Sequence, residues 1–99
     1  MKIKPFYTYY AAHVLRQYFS RVTPSAPTRA WILNNEAVDR AVSALNDEDK
    51  RLFSVIYARS GSVSENVSIA AARFDMDPEK IWVRVAELER AVAKEREII

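Results

Sequence analysis

The sequence predicts an all-α protein, a compact bundle of about five helices in a single domain spanning residues 1–99. Three observations lead to this prediction. Apolar residues recur at the three- and four-residue spacing of amphipathic helices. The chain has one glycine, Gly61, and no persuasive strand pattern. Residues that favour helix N-termini precede several of the periodic segments, and the connections between these segments are short.

Composition narrows the class of protein. Hydrophobic residues make up 49% of the chain and charged residues 28%, which is typical of a globular domain rather than a disordered one. The absence of cysteine excludes disulfides and thiolate metal sites. No apolar run is long enough to span a bilayer. We therefore expect a cytoplasmic protein that does not contact the membrane.

The N-terminal segment is predicted to form a basic helix over residues 6–22. Its apolar stripe consists of Tyr7, Ala11, Val14, Leu15, Tyr18 and Phe19. The next stretch, "TPSAPT" at 23–28, contains two prolines that block a continuous helix, so we expect a connector there.

Positive charge is concentrated at this end of the chain. Residues 1–29 contain five basic residues and no acidic one, whereas the remaining seventy carry a net charge of −3. The five are Lys2, Lys4, Arg16, Arg21 and Arg29. Such an asymmetry can direct a protein toward a phosphate backbone or an acidic partner.

Two helices are predicted between the connector and Gly61. The first runs from about Thr28 to Leu45, and Asn34 with Asn35 could divide it in two, because asparagine favours N-caps over helix interiors. The second begins at Asn46 or Asp47, carries three acidic residues in its first turn, where the helix dipole favours them, and is stopped by the Ser-Gly-Ser stretch at 60–62.

The last two helices are joined by a short turn, which predicts a helix-turn-helix within residues 45–97. Ser62 begins a capping box with a glutamate three residues on, and this helix should end near Phe74. In the turn, Asp75 tolerates a left-handed backbone and Met76 would reach the core. Pro78 suits the first position of the final helix, which should end near Glu97.

Two motifs give the chain a resemblance to a known family. "LNDEDKRLFSVIY", 45–57, and "AARFDMD", 71–77, followed by Ile81, occur in the order found in the promoter-reading C-terminal region of bacterial sigma factors. Small phage-type transcription regulators share that region. The resemblance covers about residues 45–92 and implies a DNA-binding helix-turn-helix.

The chain departs from the family pattern in three respects. About four extra residues lie between Tyr57 and the turn, and Asp75 replaces the usual glycine. Trp82 and Val83 stand where the family often has polar or basic residues. Residues 64–97 hold six bases and eight acids, which is a poor balance for neutralising phosphates.

The resemblance implies that the helix from Pro78 enters the major groove. The expected DNA-binding residues are Arg73, Glu79, Lys80, Val83 and Arg84, with backbone contacts from Arg16, Arg21 and Arg29. The alternative is that Lys80 and Arg84 belong to a solvated face laced by Glu–Lys pairs.

Other candidate sites are also open to two interpretations. Trp82 is an anchor for a protein partner or, the interpretation we favour, packs on the N-terminal helix. The seam Ile81, Val85, Leu88 and Val92 is the core face of the last helix or a homodimer interface. The N-terminal aromatic residues could stack on single-stranded bases, but core packing is expected; they are Phe6, Tyr7, Tyr9, Tyr10, Tyr18 and Phe19.

We expect neither an enzyme nor a metal or cofactor site. His13 is the only histidine, and one histidine cannot supply the several ligands that a metal needs. The resemblance to sigma factors and small phage-type regulators implies a small transcription regulator of phage or prophage origin that binds duplex DNA. The alternative is an interaction module that binds RNA polymerase, another regulator or its own copy.

Overall fold

The computed structural model describes residues 5–99, and these form five helices without a strand. The helices are α1 (Thr8–Ser20), α2 (Arg29–Ser43), α3 (Asp47–Ala58), α4 (Val63–Phe74) and α5 (Pro78–Glu95). The predicted all-α fold of about five helices is confirmed, and the helix ends lie within about two residues of those expected. Lys2 and Lys4 lie outside the described residues. No helix within residues 5–99 is long and apolar enough to cross a membrane.

Helix α1 ends in a left-handed residue. Arg21 has φ 57°, and its backbone N–H donates to the carbonyl of Tyr18. The connector that follows is exposed throughout and includes the prolines at positions 24 and 27. It ends at Thr28, whose hydroxyl accepts a hydrogen bond from the N–H of Trp31 at 3.1 Å and so caps α2;.

Helix α2 is continuous, so the suggested division at Asn34 and Asn35 is wrong. The reason lies in hydrogen bonds to residues of other helices. Asn34 is buried, and its Oδ1 accepts hydrogen bonds from the hydroxyl of Tyr10 and from Nε of Arg96, each at 2.7 Å. These bonds from α1 and from the end of α5 offset the low helix propensity of asparagine.

The junction between α3 and α4 is held by side chains from both helices. Asn46 caps the start of α3 through the N–H of Asp49, and Ser62 caps the start of α4. The buried Asn66 donates from Nδ2 to the carbonyl of Ile56 at 2.8 Å. Gly61, with φ 99°, makes the turn between the two helices;.

One hydrophobic cluster takes residues from all five helices. It includes Leu15, Val38, Phe53, Val67 and Ile81. The predicted seam of α5, Ile81 with Val85, Leu88 and Val92, is buried in this cluster. The interpretation of this seam as the core face of the last helix is therefore confirmed, and its side chains are not exposed at the surface.

The N-terminal aromatic residues divide between core and surface. Tyr18 and Phe19 pack against the core, and the Phe19 ring stacks on Tyr57. Phe6 is 77% exposed and Tyr9 78% exposed, so the expectation that this group packs in the core is wrong for both. Phe6 precedes the first turn of α1, and Tyr9 lies on its solvent side.

Candidate nucleic-acid interface

The connection between α4 and α5 has the local geometry that the sequence predicts. Asp75 is left-handed, with φ 52°. The N–H groups of Asp75 and Met76 both donate to the carbonyl of Ala71. The Met76 side chain packs against the hydrophobic core. Helix α4 therefore ends at Phe74, and only three residues separate it from α5.

Helix α5 begins with favourable end chemistry. Asp77 Oδ1 accepts a hydrogen bond from the N–H of Glu79 at 2.9 Å, and Pro78 occupies the first helical position;. Ile81 and Val85 are buried one turn apart. This burial fixes the rotation of α5 and leaves its opposite side exposed.

The exposed side of α5, which we call the outer face, contains three of the predicted site residues. They are Glu79, Lys80 and Val83. Val83 is 58% exposed, and the neighbouring Trp82 is 39% exposed. Trp82 thus keeps a solvent-accessible surface, although packing on α1 was the favoured interpretation. The outer face is open to solvent within the described chain.

Arg84 differs from the expectation of an outward-facing residue. Its Nη1 donates to Oδ1 of Asp49, in the first turn of α3, at 2.6 Å, and the residue is half-buried. The cationic group is therefore held between α3 and α5. A partner that contacts Arg84 must compete with Asp49 for it.

The other predicted cations are in three different situations. Arg73 is exposed in the last turn of α4, and neither it nor Lys80 forms an ion pair within residues 5–99. Arg21 and Arg29 are exposed at the two ends of the connector. Arg16 instead donates to the backbone carbonyls of Arg59 and Gly61.

Arg16 therefore has a structural role within the chain, and the predicted phosphate contact would compete with these two carbonyls for its guanidinium. Its guanidinium satisfies carbonyl oxygens beyond the end of α3, where no intrahelical N–H is available. This contact joins α1 to the α3–α4 turn across more than forty residues of sequence.

The structure also brings together cations that the sequence analysis did not select. An open trough lies between α1, α2 and α3, formed by two adjoining depressions of about 350 and 390 Å³. Arg21, Lys50 and Arg51 line it, and none of the three forms an ion pair within residues 5–99. We call this site the basic trough.

The basic trough contains one carboxylate. Asp39 Oδ1 accepts a hydrogen bond from the hydroxyl of Tyr18 at 2.8 Å. Burial, followed by this hydrogen bond, raises the pKa of Tyr18 above its ordinary value;. Tyr18 therefore remains a neutral donor at physiological pH, and Asp39 stays oriented along the trough wall.

The sequence does not single out Lys50 and Arg51, because the charges around them obscure the pattern. They follow directly after Asp47, Glu48 and Asp49, so the local sequence is acidic overall. Helical geometry separates them: Asp49 is directed toward α5, whereas Lys50 and Arg51 line the trough. A helical projection of 47–51 could have indicated two charged sides.

Nothing in the described chain suggests a metal centre. Within residues 5–99, no three His, Cys, Asp or Glu side chains lie close enough together to hold an ion. Comparison with protein-family models, with curated proteins and with solved structures finds no match to this chain.

Proposed function

We propose that this protein is a small, non-enzymatic transcription regulator, of phage or prophage origin, that binds duplex DNA through α5. The observation that carries the proposal is the exposure of the outer face of α5 directly after a three-residue turn. In a helix-turn-helix the second helix likewise follows a short turn and keeps its apolar side in the core, and this similarity supports the proposal.

Named residues give this proposal a specific interface. Lys80 on α5 and Arg73 at the end of α4 are exposed and outside any ion pair of the described chain. They would contact phosphates beside the groove, while Val83 faces the base edges. Glu79 would oppose phosphates, and could accept a hydrogen bond from a cytosine amino group.

A binding titration tests the proposal. The protein is titrated against a pool of random duplex DNA at two salt concentrations. A groove reader binds at low salt and loses affinity steeply as salt rises. Lys80→Ala with Arg73→Ala should weaken binding at least about tenfold and reduce the salt slope by about 2.

The matched control is Lys94→Ala with Arg59→Ala, which removes two exposed cations away from the first turns of α5. It should change affinity much less. Absence of duplex binding at low salt, or equal losses in both double variants, would discard groove recognition by α5.

One observation favours a second candidate function, a protein-interaction module. Trp82 and Val83 are adjacent, exposed and apolar, and acidic Asp75, Asp77 and Glu79 precede them. Acidic side chains repel DNA, whereas an exposed tryptophan is a common anchor at protein interfaces. The partner in this case is RNA polymerase, another regulator or a second copy of the chain.

Purified bacterial RNA polymerase provides the direct test of this candidate. Trp82→Ser with Val83→Ser should abolish binding to the polymerase, while Ile32→Ser, at an exposed apolar position on α2, should preserve it. Sedimentation of the protein alone reports self-association. If the protein sediments as a monomer and does not bind the polymerase, both RNA polymerase and a second copy of the chain are excluded as partners.

A further inference from the structure

We propose that the basic trough between α1, α2 and α3 binds a short segment of single-stranded nucleic acid. This site is separate from the outer face of α5, and the inference does not depend on duplex binding. It assigns a ligand to Arg21, Lys50 and Arg51, which the structure brings together and which form no ion pair within residues 5–99.

The charge of the trough selects an anionic ligand. Three cations face one carboxylate, Asp39, which already accepts a hydrogen bond from Tyr18. Cations of like sign gathered along a concave surface raise its potential, because the low-dielectric walls concentrate the field. A polyanion such as a phosphodiester chain gains from several of these contacts at once.

The dimensions of the trough indicate a single strand. Its two depressions, of about 350 and 390 Å³, meet at Tyr18, Phe19, Arg21 and Asp39. Each has the volume of a small-ligand site, and together they form a continuous concave surface along which consecutive nucleotides of one strand would lie. Arg21 belongs to both depressions and lies where a phosphate would link two nucleotides.

An aromatic side chain gives the ligand a stacking surface. Trp31 lines the first depression, is half-buried, and makes no ring contact with another aromatic residue of the described chain. Phe19, in contrast, stacks on Tyr57 and forms part of the floor. Bases of any sequence stack on an accessible indole, and basic grooves that bind single strands combine such surfaces with cations.

Polar groups beside Trp31 suit the edges of bases. Gln17 and Asn35 line the same depression as Asp39. Amides can donate to and accept from base edges, and a carboxylate accepts from exocyclic amino groups. A run of acidic residues has no aromatic face to stack on the indole, so a nucleic acid fits the lining of Trp31 and the cations better;.

Fluorescence anisotropy with a labelled short oligothymidylate tests the cations. Lys50→Gln with Arg51→Gln should weaken binding at least about tenfold and make the salt slope shallower by about 1.4, at about 0.7 per lost contact. The control Arg59→Gln with Arg90→Gln removes the same charge from exposed positions outside the trough. Equal effects of the two double variants would overturn the assignment.

Tryptophan fluorescence tests the stacking and does not depend on whether the double variants fold. The chain has two tryptophans, so Trp82→Phe leaves Trp31 as the only indole. Oligothymidylate should quench Trp31, and Trp31→Leu should reduce affinity about fivefold or more. An unchanged Trp31 signal at saturation would overturn the proposal, as would a poly-glutamate peptide of equal charge that binds as tightly and quenches equally.

The proposal for the outer face of α5 and the proposal for the basic trough can be rejected independently. Lys80→Ala with Arg73→Ala should leave oligothymidylate binding unchanged, and the trough variants should leave recognition by α5 intact apart from a general loss of charge. Binding of duplex alone, sensitive only to the α5 variants, would reject the trough and keep the regulator proposal. Binding of single strands alone would keep the trough and reject duplex recognition by α5.

Discussion

Asp75 has a backbone conformation that costs most residues free energy, because its φ is 52°. A β-branched side chain there clashes with the backbone, so Asp75→Val should lower the free energy of unfolding by about 1–2 kcal/mol. Asp75→Gly should remain within about 0.5 kcal/mol of the original, since relief of strain offsets the greater entropy of the unfolded chain.

Urea denaturation measures both Asp75 variants. Ala72→Val, on an exposed position of α4 with helical backbone, is the control for a β-branched substitution and should cost less than Asp75→Val. If Asp75→Val and Asp75→Gly were equally stable, the left-handed turn would be wrong.

Tyr57 should make the protein sensitive to alkali. Burial, and then the charge of Glu89 and the hydrogen bond to it, raise its pKa far above the ordinary value of 10.0;. In the unfolded chain this phenol ionises near pH 10.0 while the folded form keeps its proton. The stability that Tyr57 contributes is therefore complete below pH 10 and declines as the pH rises further.

Denaturation at several alkaline pH values measures this effect. Tyr57→Phe should flatten the decline in the free energy of unfolding above pH 10, because the buried phenol that causes it is then absent. A decline that is equally steep in Tyr57→Phe would show that other groups cause it.

Among single residues, the hydrogen bonds to near neighbours could be predicted from the sequence, and those to distant residues could not. Ser62 is predictable as a cap, and Asn46 as one of two candidates, because each accepts from a backbone N–H only three residues away. The helical position of Asn34 is not predictable in this way, because its partners lie 24 and 62 residues away. Arg16 likewise finds its acceptors on a turn that no local pattern connects to α1.

At the scale of helices, the ion pair between Asp49 and Arg84 connects α3 to α5. Because both side chains remain partly exposed, we expect it to contribute less than about 1 kcal/mol to stability. Its larger effect is on the proposed interface, since it withholds a cation from DNA. The periodicity of α5 predicted which side is buried, but not that Arg84 would be paired.

Asp49→Asn should therefore strengthen binding to duplex DNA by several-fold while changing stability little. Combining it with Arg84→Ala should cancel the gain, because no guanidinium is then released. The double-mutant cycle is measured by anisotropy. A gain that persists without Arg84 would mean that Asp49 acts only through general repulsion of phosphates.

At the scale of the whole molecule, one cluster joins the cores of all five helices. A substitution at Leu15, which is fully buried on α1, tests whether this cluster unfolds as one unit. Leu15→Ala should cost about 2–5 kcal/mol, because the cavity it leaves is lined by other helices. Loss of helix and the fluorescence change of the tryptophans on α2 and α5 should still coincide in urea. Two separated transitions would indicate independent parts.

The overall fold was more predictable than the site. Each helix bears its apolar stripe in its own sequence, so five helices and their inner faces follow from periodicity. The basic trough has no such local signature. Arg21 comes from the end of α1 and Lys50 from the start of α3, and only the packing of those helices makes them neighbours.

The exposed connector at 23–28 is a place where the chain can be cut. A protease should cut it without reaching the core, because its residues lie on the surface;. Leu15 and Arg16 would still hold α1 to the remainder through packing and through the α3–α4 turn. The two fragments should stay associated after the cut. A synthetic α1 peptide should likewise bind a chain that lacks α1 and restore its fold.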